Sequence, residues 1–122
     1  MDWTAYPNFR LEEFRCKHTG ECVMHPVFMQ RLQHLRTRYG KPMVVTSGYR
    51  SKRHPIEAAK ATPGEHTHGR AADIAVSGAD ALLLLRLALE FGFNRIGVNQ
   101  KGTGRFLHLG DSPDFQSGIW SY

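Results

Sequence analysis

The sequence contains no apolar run of about 18 residues, the length needed to cross a membrane. It also lacks the basic start and apolar stretch of a secretory signal, because its first residues read MDWTAYPNFRLEEF. No internal repeat or low-complexity segment interrupts the chain. We therefore expect one globular domain over residues 1–122, without a membrane partner.

Cysteine is scarce, with only Cys16 and Cys22 present, on either side of His18 in RCKHTGEC. A structural zinc site usually takes four protein ligands, so this segment alone does not predict one. The favoured interpretation is a pair of ordinary thiols. A disulfide that closes a small loop is the alternative in an oxidising compartment.

Acidic residues are outnumbered, with 11 Asp and Glu against 16 Lys and Arg and a net charge of +5. This balance favours anionic partners, either nucleic acid or a bacterial cell-wall polymer. The basic residues are scattered, with only small clusters such as YRSKRH at 49–54. Charge alone therefore keeps a small basic nucleic-acid-binding domain as an alternative.

Two helices are predicted from apolar spacing. Residues 25–42 carry one stripe, formed by Phe28, Leu32, Leu35 and Tyr39. Residues 79–92 are apolar nearly all round, which predicts packing against a sheet, and Ser77 with Asp80 resembles a capping box.

Strands are predicted at 43–50 and 70–76, and NRIGVNQ and RFLHLG form a hairpin through KGTG. Residues 54–60 predict one or two helical turns, and ATPGEH predicts a loop. This order of elements predicts an α+β fold with a small, mainly antiparallel sheet and helices packed on one face. The terminal aromatics Trp120 and Tyr122 are expected in the core rather than at a cleft.

Strand alternation places two possible metal ligands on one face of that sheet. In strand 70–76 the side chain of Asp73 points to the other face from that of Ile74. In RFLHL the side chain of His108 likewise points to the other face from its leucine neighbours. If the strands are neighbours, Asp73 and His108 converge, and His66 reaches in from the preceding loop. Two nitrogens and one oxygen suit a catalytic zinc with an open fourth position.

Each of these residues also has an ordinary interpretation. His108 alone is typical of a satisfied strand histidine, and Asp73 alone of a turn cap or an arginine partner. His66 and His68 alone are typical of exposed loop histidines. The metal interpretation is favoured by their combination with small residues such as Gly69, which allow a close backbone approach.

The ordered motifs TSGYR, HTHGRAAD and RFLHL resemble the VanY-like zinc peptidases. Further segments that resemble the compact, phage-type branch of that family are LEEFRCKHTG, HPIEAAK, LALEFGFNRIGV and IWSY. The resemblance implies a fold like that of the Hedgehog and D-Ala-D-Ala peptidases, and hydrolysis of peptidoglycan stem peptides. It implies Zn²⁺ bound by His66, Asp73 and His108, and a substrate-binding Arg50, for which a surface salt bridge is the alternative.

The general base is the point at which this sequence departs from the family. Many relatives carry an acid three residues before the last histidine, where this chain has Arg105. The compact branch carries one two residues after it, where this chain has Gly110. A kink at Gly110 would bring Asp111 to the cleft as the base, with Glu65 and His68 as alternatives. Asp111 is equally typical of a turn in GDSPD.

The expected protein is thus a monomeric metallopeptidase of the cell wall, either a D-Ala-D-Ala carboxypeptidase or an L-Ala-D-Glu endopeptidase. As an endolysin of phage origin it would be made in the cytoplasm and act after release. The leading alternative is a zinc-holding but catalytically weak module that binds cell wall or serves in a phage particle. The nucleic-acid binder ranks last because it does not explain the alignment of the three ligands.

Overall fold

Five strands form one mixed sheet in the computed structural model, which describes residues 1–122. They are β1 (Val44–Ser47), β2 (Ala71–Ala75), β3 (Arg95–Asn99), β4 (Phe106–Gly110) and β5 (Gly118–Ser121). The spatial order is β1-β2-β4-β3-β5, and all neighbours are antiparallel except β3 and β5. The predicted α+β class and the predicted hairpin of β3 and β4 are confirmed.

Four α-helices accompany the sheet, namely α1 (Leu11–Phe14), α2 (Pro26–Tyr39), α3 (Pro55–Ala58) and α4 (Gly78–Glu90). Short 3-10 helices cover Trp3–Ala5 and Glu65–His68, so the end of the predicted loop ATPGEH is helical. None of the helices is both long and apolar enough to cross a membrane. The four stripe residues predicted for α2 are all buried.

Helix α4 packs through one face only. Its residues Ala81, Leu84, Leu87 and Ala88 are buried, whereas Leu82 and Leu89 are exposed. The predicted capping box is wrong, since the side chain of Ser77 makes no cap hydrogen bond. Asp80 instead pairs with Lys41 at 2.5 Å, so its carboxylate is held by another part of the chain.

The core lies between helices α2 and α4 and one face of the sheet. The buried strand residues on that face are Ala72, Ile74, Ile96, Leu107 and Leu109, and they join the buried residues of α2 and α4 in one cluster. Because side chains alternate along a strand, Asp73 and His108 lie on the opposite face. The sheet therefore separates the hydrophobic core from a polar cleft.

The C-terminal aromatics differ from their prediction. Strand β5 pairs in parallel with β3, with Gly97 opposite Trp120, and both Trp120 and Tyr122 line the cleft rather than the core. A Cβ added at Gly97 would lie 2.7 Å from Nε1 of Trp120, so the absence of a side chain there admits the indole. Cys16 and Cys22 are free thiols, as the favoured interpretation expected.

We predict that Leu84→Ala lowers the free energy of unfolding by about 2–5 kcal/mol, since it removes a fully buried side chain and leaves a cavity. Leu82→Ala in the same helix is the matched control, because Leu84 is 0% and Leu82 70% exposed. It should change stability by about 0.5 kcal/mol or less. Urea denaturation measures both, and equal losses would contradict the one-sided packing of α4.

Candidate metal centre and active site

Three buried side chains, His66, Asp73 and His108, form the group of possible metal ligands. One donor atom from each lies within 4.8 Å of the others. Oδ1 of Asp73 is 3.4 Å from Nε2 of His66 and 3.0 Å from Nδ1 of His108. The structure thus brings together the three residues that the sequence predicted as ligands.

Strand pairing and a short turn position these donors. Asp73 and His108 are direct partners in the antiparallel pair of β2 and β4, which sets their side chains side by side. His66 lies on the 3-10 helix Glu65–His68, which ends at Gly69 with φ of 67°. A Cβ at Gly69 would lie 2.9 Å from the backbone nitrogen of His25, so glycine allows this turn to pack against the segment that precedes α2.

The second ring nitrogen of each histidine is held by an acceptor. Nδ1 of His66 donates to the carbonyl of Gly48 at 2.7 Å, which leaves Nε2 directed at Asp73. Nε2 of His108 donates to Oε1 of Glu65 at 2.5 Å, which leaves Nδ1 directed at Asp73. Histidines that bind metals are characteristically oriented in this way.

The donor set fits a zinc ion. Donors around a tetrahedral zinc with bonds of about 2.0–2.1 Å lie about 3.3 Å apart. The two distances from Oδ1 of Asp73, 3.0 and 3.4 Å, are close to that spacing. Two imidazoles and one carboxylate also leave a fourth position open, as in catalytic rather than structural zinc sites.

The sequence model of the Peptidase M15 family matches residues 7–110. The chain belongs to this family. No curated protein matches it. The match agrees with the resemblance to VanY-like zinc peptidases, and M15 peptidases are in general metal-dependent. In this peptidase, His66, Asp73 and His108 are a group that could hold the ion.

Charge and burial oppose each other inside this M15 site. Burial disfavours ionisation of Asp73, but hydrogen bonds from His108 and His66 outweigh it and hold the pKa of Asp73 well below its ordinary value. Burial likewise disfavours a charged His108, but its bonds to Asp73 and Glu65 raise its pKa. Asp73 is therefore an anion at neutral pH, as a metal ligand must be.

Arg50 lies beside the donors rather than on the open surface. Its Nη1 is 3.1 Å from Oε2 of Glu57 and its Nη2 is 3.8 Å from Oδ2 of Asp73. Glu57 is fully buried and also contacts Lys60 at 3.2 Å and the backbone nitrogen of Gly64 at 2.8 Å. Arg50 does form a salt bridge, but its partner Glu57 is buried, so the bridge is not the surface one considered as the alternative.

The donors lie in a cleft of about 400 Å³. Its cations are Arg50, Lys60 and Arg95, and its aromatic side chains are Phe106, Trp120 and Tyr122. The carboxylates that line it are Glu65 and Asp73. The indole of Trp120 lies 5.1 Å from the ring of His108, centroid to centroid, and covers one side of it.

Asp111, the expected general base, is held away from this cleft. Strand β4 continues through Gly110, without the kink that would redirect the next side chain, and Asp111 is not among the cleft residues. Its carboxylate accepts two hydrogen bonds from Arg70, at 2.9 and 3.1 Å, and lies 3.4 Å from Arg31. The Asp111 carboxylate therefore links the end of β4 to the start of β2 and to α2.

The alternative bases differ in position. His68 lies outside the cleft, 3.5 Å from Asp114 and with its ring centroid 5.2 Å from that of Phe115. Glu65 lines the cleft, but its carboxylate is bonded to the nitrogen of His108 that faces away from Asp73.

Sequence reasoning missed Arg95 and Trp120. Alternation along NRIGVNQ would have placed Arg95 on the face shared with Gly97, opposite the core residue Ile96. The guanidinium of Arg95 lies between the rings of Phe115 and Trp120, 4.9 and 5.0 Å from their centroids. No local signal predicted Trp120, because its position depends on the return of β5 to β3.

We predict that Asp111→Ala lowers the free energy of unfolding by about 3 kcal/mol, because Arg70 and Arg31 lose a carboxylate whose side chain is 1% exposed. Asp114→Ala is the control, since Asp114 is exposed. Chemical denaturation and zinc titration are measured on both variants. If Asp111→Ala were as stable as the parent, retained zinc and lost hydrolysis, Asp111 would be catalytic after all.

The buried ion pairs of Glu57 predict that the stability of the fold depends on pH. Burial raises its pKa, but hydrogen bonds from Gly64, Lys60 and Arg50 lower it below the ordinary 4.5. A carboxyl whose pKa is lower in the folded state stabilises the fold above its unfolded pKa, and this stabilisation is lost as the pH falls further.

Glu57→Gln should therefore cost about 1–3 kcal/mol at pH 7 and flatten the fall in unfolding free energy below pH 4.5. Denaturation of the metal-free protein across this range measures the effect. Glu90→Gln, at an exposed position, is the matched control. An unchanged acid slope in Glu57→Gln would show that Glu57 is not ionised in the folded protein.

Proposed function

We propose that this M15 peptidase is a zinc-dependent hydrolase of an amide bond in peptidoglycan stem peptides. The observation that carries the proposal is the convergence of His66, Asp73 and His108 in a cleft with three cationic side chains. A bound zinc would polarise the scissile carbonyl and lower the pKa of the attacking water. The protein residues hold the ion and orient the peptide.

Stem peptides are rich in carboxylates, which match the charge of this cleft. Arg50 presents a planar guanidinium beside the ligand Asp73 and is itself fixed by Glu57. Such a fork can hold a substrate carboxylate or carbonyl with two parallel hydrogen bonds, which lysine does less well. Lys60, which also contacts Glu57, places a second positively charged side chain in the cleft.

The aromatic side of the cleft supplies a wall. Tyr122 lies against Phe106, with ring centroids 5.0 Å apart, and Trp120 covers His108 at 5.1 Å. An apolar wall beside a charged site excludes water and strengthens electrostatic interactions within it. A peptide bound between this wall and Arg50 would present its amide to the metal ligands.

Two bonds satisfy these requirements, the terminal D-Ala–D-Ala bond and the L-Ala–D-Glu bond. A carboxypeptidase needs a cation to bind the free terminal carboxylate next to the scissile bond. An endopeptidase can use the same cation for the α-carboxylate of D-Glu. Arg50 suits either role, so the products of the reaction must identify the bond.

A second candidate function is a zinc-holding module with weak catalysis. It is favoured by the engagement of the nearby carboxylates, because Glu65 is bonded to His108 and Asp111 to Arg70. Neither is placed as a ready proton acceptor. Such a module would bind cell-wall peptide through the same cations without turning it over.

We predict chelator-sensitive release of D-Ala from a pentapeptide, or cleavage at L-Ala–D-Glu, when zinc-loaded protein is incubated with muropeptides. His66→Ala and His108→Ala should each lose at least tenfold in zinc affinity and in hydrolysis, because one of three ligands is removed. His34→Ala, at an exposed position on α2, is the matched control and should keep both. Mass spectrometry identifies the products, and metal analysis gives the stoichiometry.

The outcomes separate the candidate functions. Zinc bound at one equivalent without cleavage of either bond would contradict the peptidase proposal and favour the weak module. Full zinc stoichiometry in His66→Ala together with His108→Ala would contradict the assignment of the ligands. Salt-dependent DNA binding without zinc would favour the nucleic-acid alternative instead.

A further inference from the structure

A buried carboxylate lies on the side of the His108 ring that faces away from Asp73. Oε1 of Glu65 is 2.5 Å from Nε2 of His108 and 3.1 Å from Nε of Arg95. Oε2 of Glu65 accepts from the backbone nitrogen of Ser112 at 3.4 Å. The Glu65 side chain is 3% exposed, so these partners rather than water contact its carboxyl oxygens.

A glycine leaves the space for this carboxylate. Gly110 is two residues after His108 on β4, so a side chain at position 110 would project from the same face. A Cβ added there would lie 2.5 Å from Cδ of Glu65, whereas non-bonded carbons pack at about 3.5–4.0 Å. The φ of Gly110 is not positive, so volume rather than backbone conformation requires glycine.

We propose that Glu65 is the positioning residue that fixes His108 as a metal ligand, and that Gly110 is required because the Glu65 carboxylate fills its side-chain space. The proposal rests on the metal-dependent function proposed above. By accepting the hydrogen bond from Nε2–H, Glu65 orients the ring so that Nδ1 faces Asp73, on the side where the metal would bind. The carboxylate beside His108 is thus supplied by the 3-10 helix Glu65–His68 instead of by β4.

The position of Glu65 separates this role from general base catalysis. It contacts the ring nitrogen on the side away from Asp73 and therefore acts through His108. Arg95, whose guanidinium lies about 5 Å from the rings of Phe115 and Trp120, is also 3.1 Å from the Glu65 carboxylate and helps to hold it in place. Loss of Glu65 would leave His108 free to change its tautomer or rotate.

The test is a comparison of zinc dissociation constants, measured by chelator competition, in Glu65→Ala, Gly110→Asp and the double variant. Glu65→Ala should bind zinc about 10–100-fold more weakly than the parent. Gly110→Asp should also weaken binding, because two carboxylates would compete for one space. The double variant should bind more tightly than either single variant, since the new aspartate takes the vacated place. Asp114→Asn is the exposed control and should match the parent.

Nitrogen-15 NMR of the His108 ring in zinc-free protein gives a readout that does not depend on the metal. With the ring neutral, the parent should carry its proton on Nε2, and Glu65→Ala should lose this preference. If the parent bound no zinc, the proposed function would fail, while the NMR experiment would still test Glu65. Thermal unfolding establishes that each variant is folded.

A folded Glu65→Ala variant with the zinc affinity and His108 tautomer of the parent would overturn the proposal. If Glu65→Ala did not fold, Glu65→Gln would replace it, since the amide keeps an oxygen acceptor without the charge. Its zinc affinity should lie between those of the parent and Glu65→Ala, at least about threefold below the parent. A zinc affinity equal to that of the parent would again overturn the role of the charge. A double variant no tighter than Glu65→Ala would refute the link to Gly110.

Discussion

The pairing of Asp73 with His108 across the central strands β2 and β4 is the interaction on which the site depends. It fixes one carboxylate and one imidazole 3.0 Å apart, and both side chains lie on strands rather than on loops. The same register sends Ile74 and Leu107 into the core on the other face. A slip of one residue would exchange the two faces, so the hydrophobic core and the ligand pair enforce a single register.

Around this pair, the buried carboxylates are each held by donors from another segment of the chain. Glu57 is held by Arg50 and the backbone of Gly64, Glu65 by His108, and Asp111 by Arg70. Burying an unpaired charge is costly, whereas a paired and hydrogen-bonded one can be tolerated. These ion pairs thus connect the loops to the sheet. The cations Arg50, Lys60 and Arg95 line the cleft.

Much of the site was predictable because it depends on local periodicity. Alternation along β2 and β4 placed Asp73 and His108 on one face, and the apolar stripe of α2 and the β3–β4 hairpin were likewise visible. Asp111 was not predictable in this way, because its orientation depends on Arg70 and Arg31, which lie far away in the sequence. The roles of Glu65 and Trp120 also required the folded chain, since each approaches His108 from a separate element.

The same contrast explains why the absence of an acid two residues after His108 does not mean that no carboxylate lies beside this histidine. The environment of a ligand is a region of space, and several segments can supply the group that fills it. Here the volume of a side chain at Gly110 is occupied by Glu65, which precedes the first ligand, His66. A departure from a linear motif therefore need not remove the carboxylate beside a ligand, because a residue from another segment can occupy the same space.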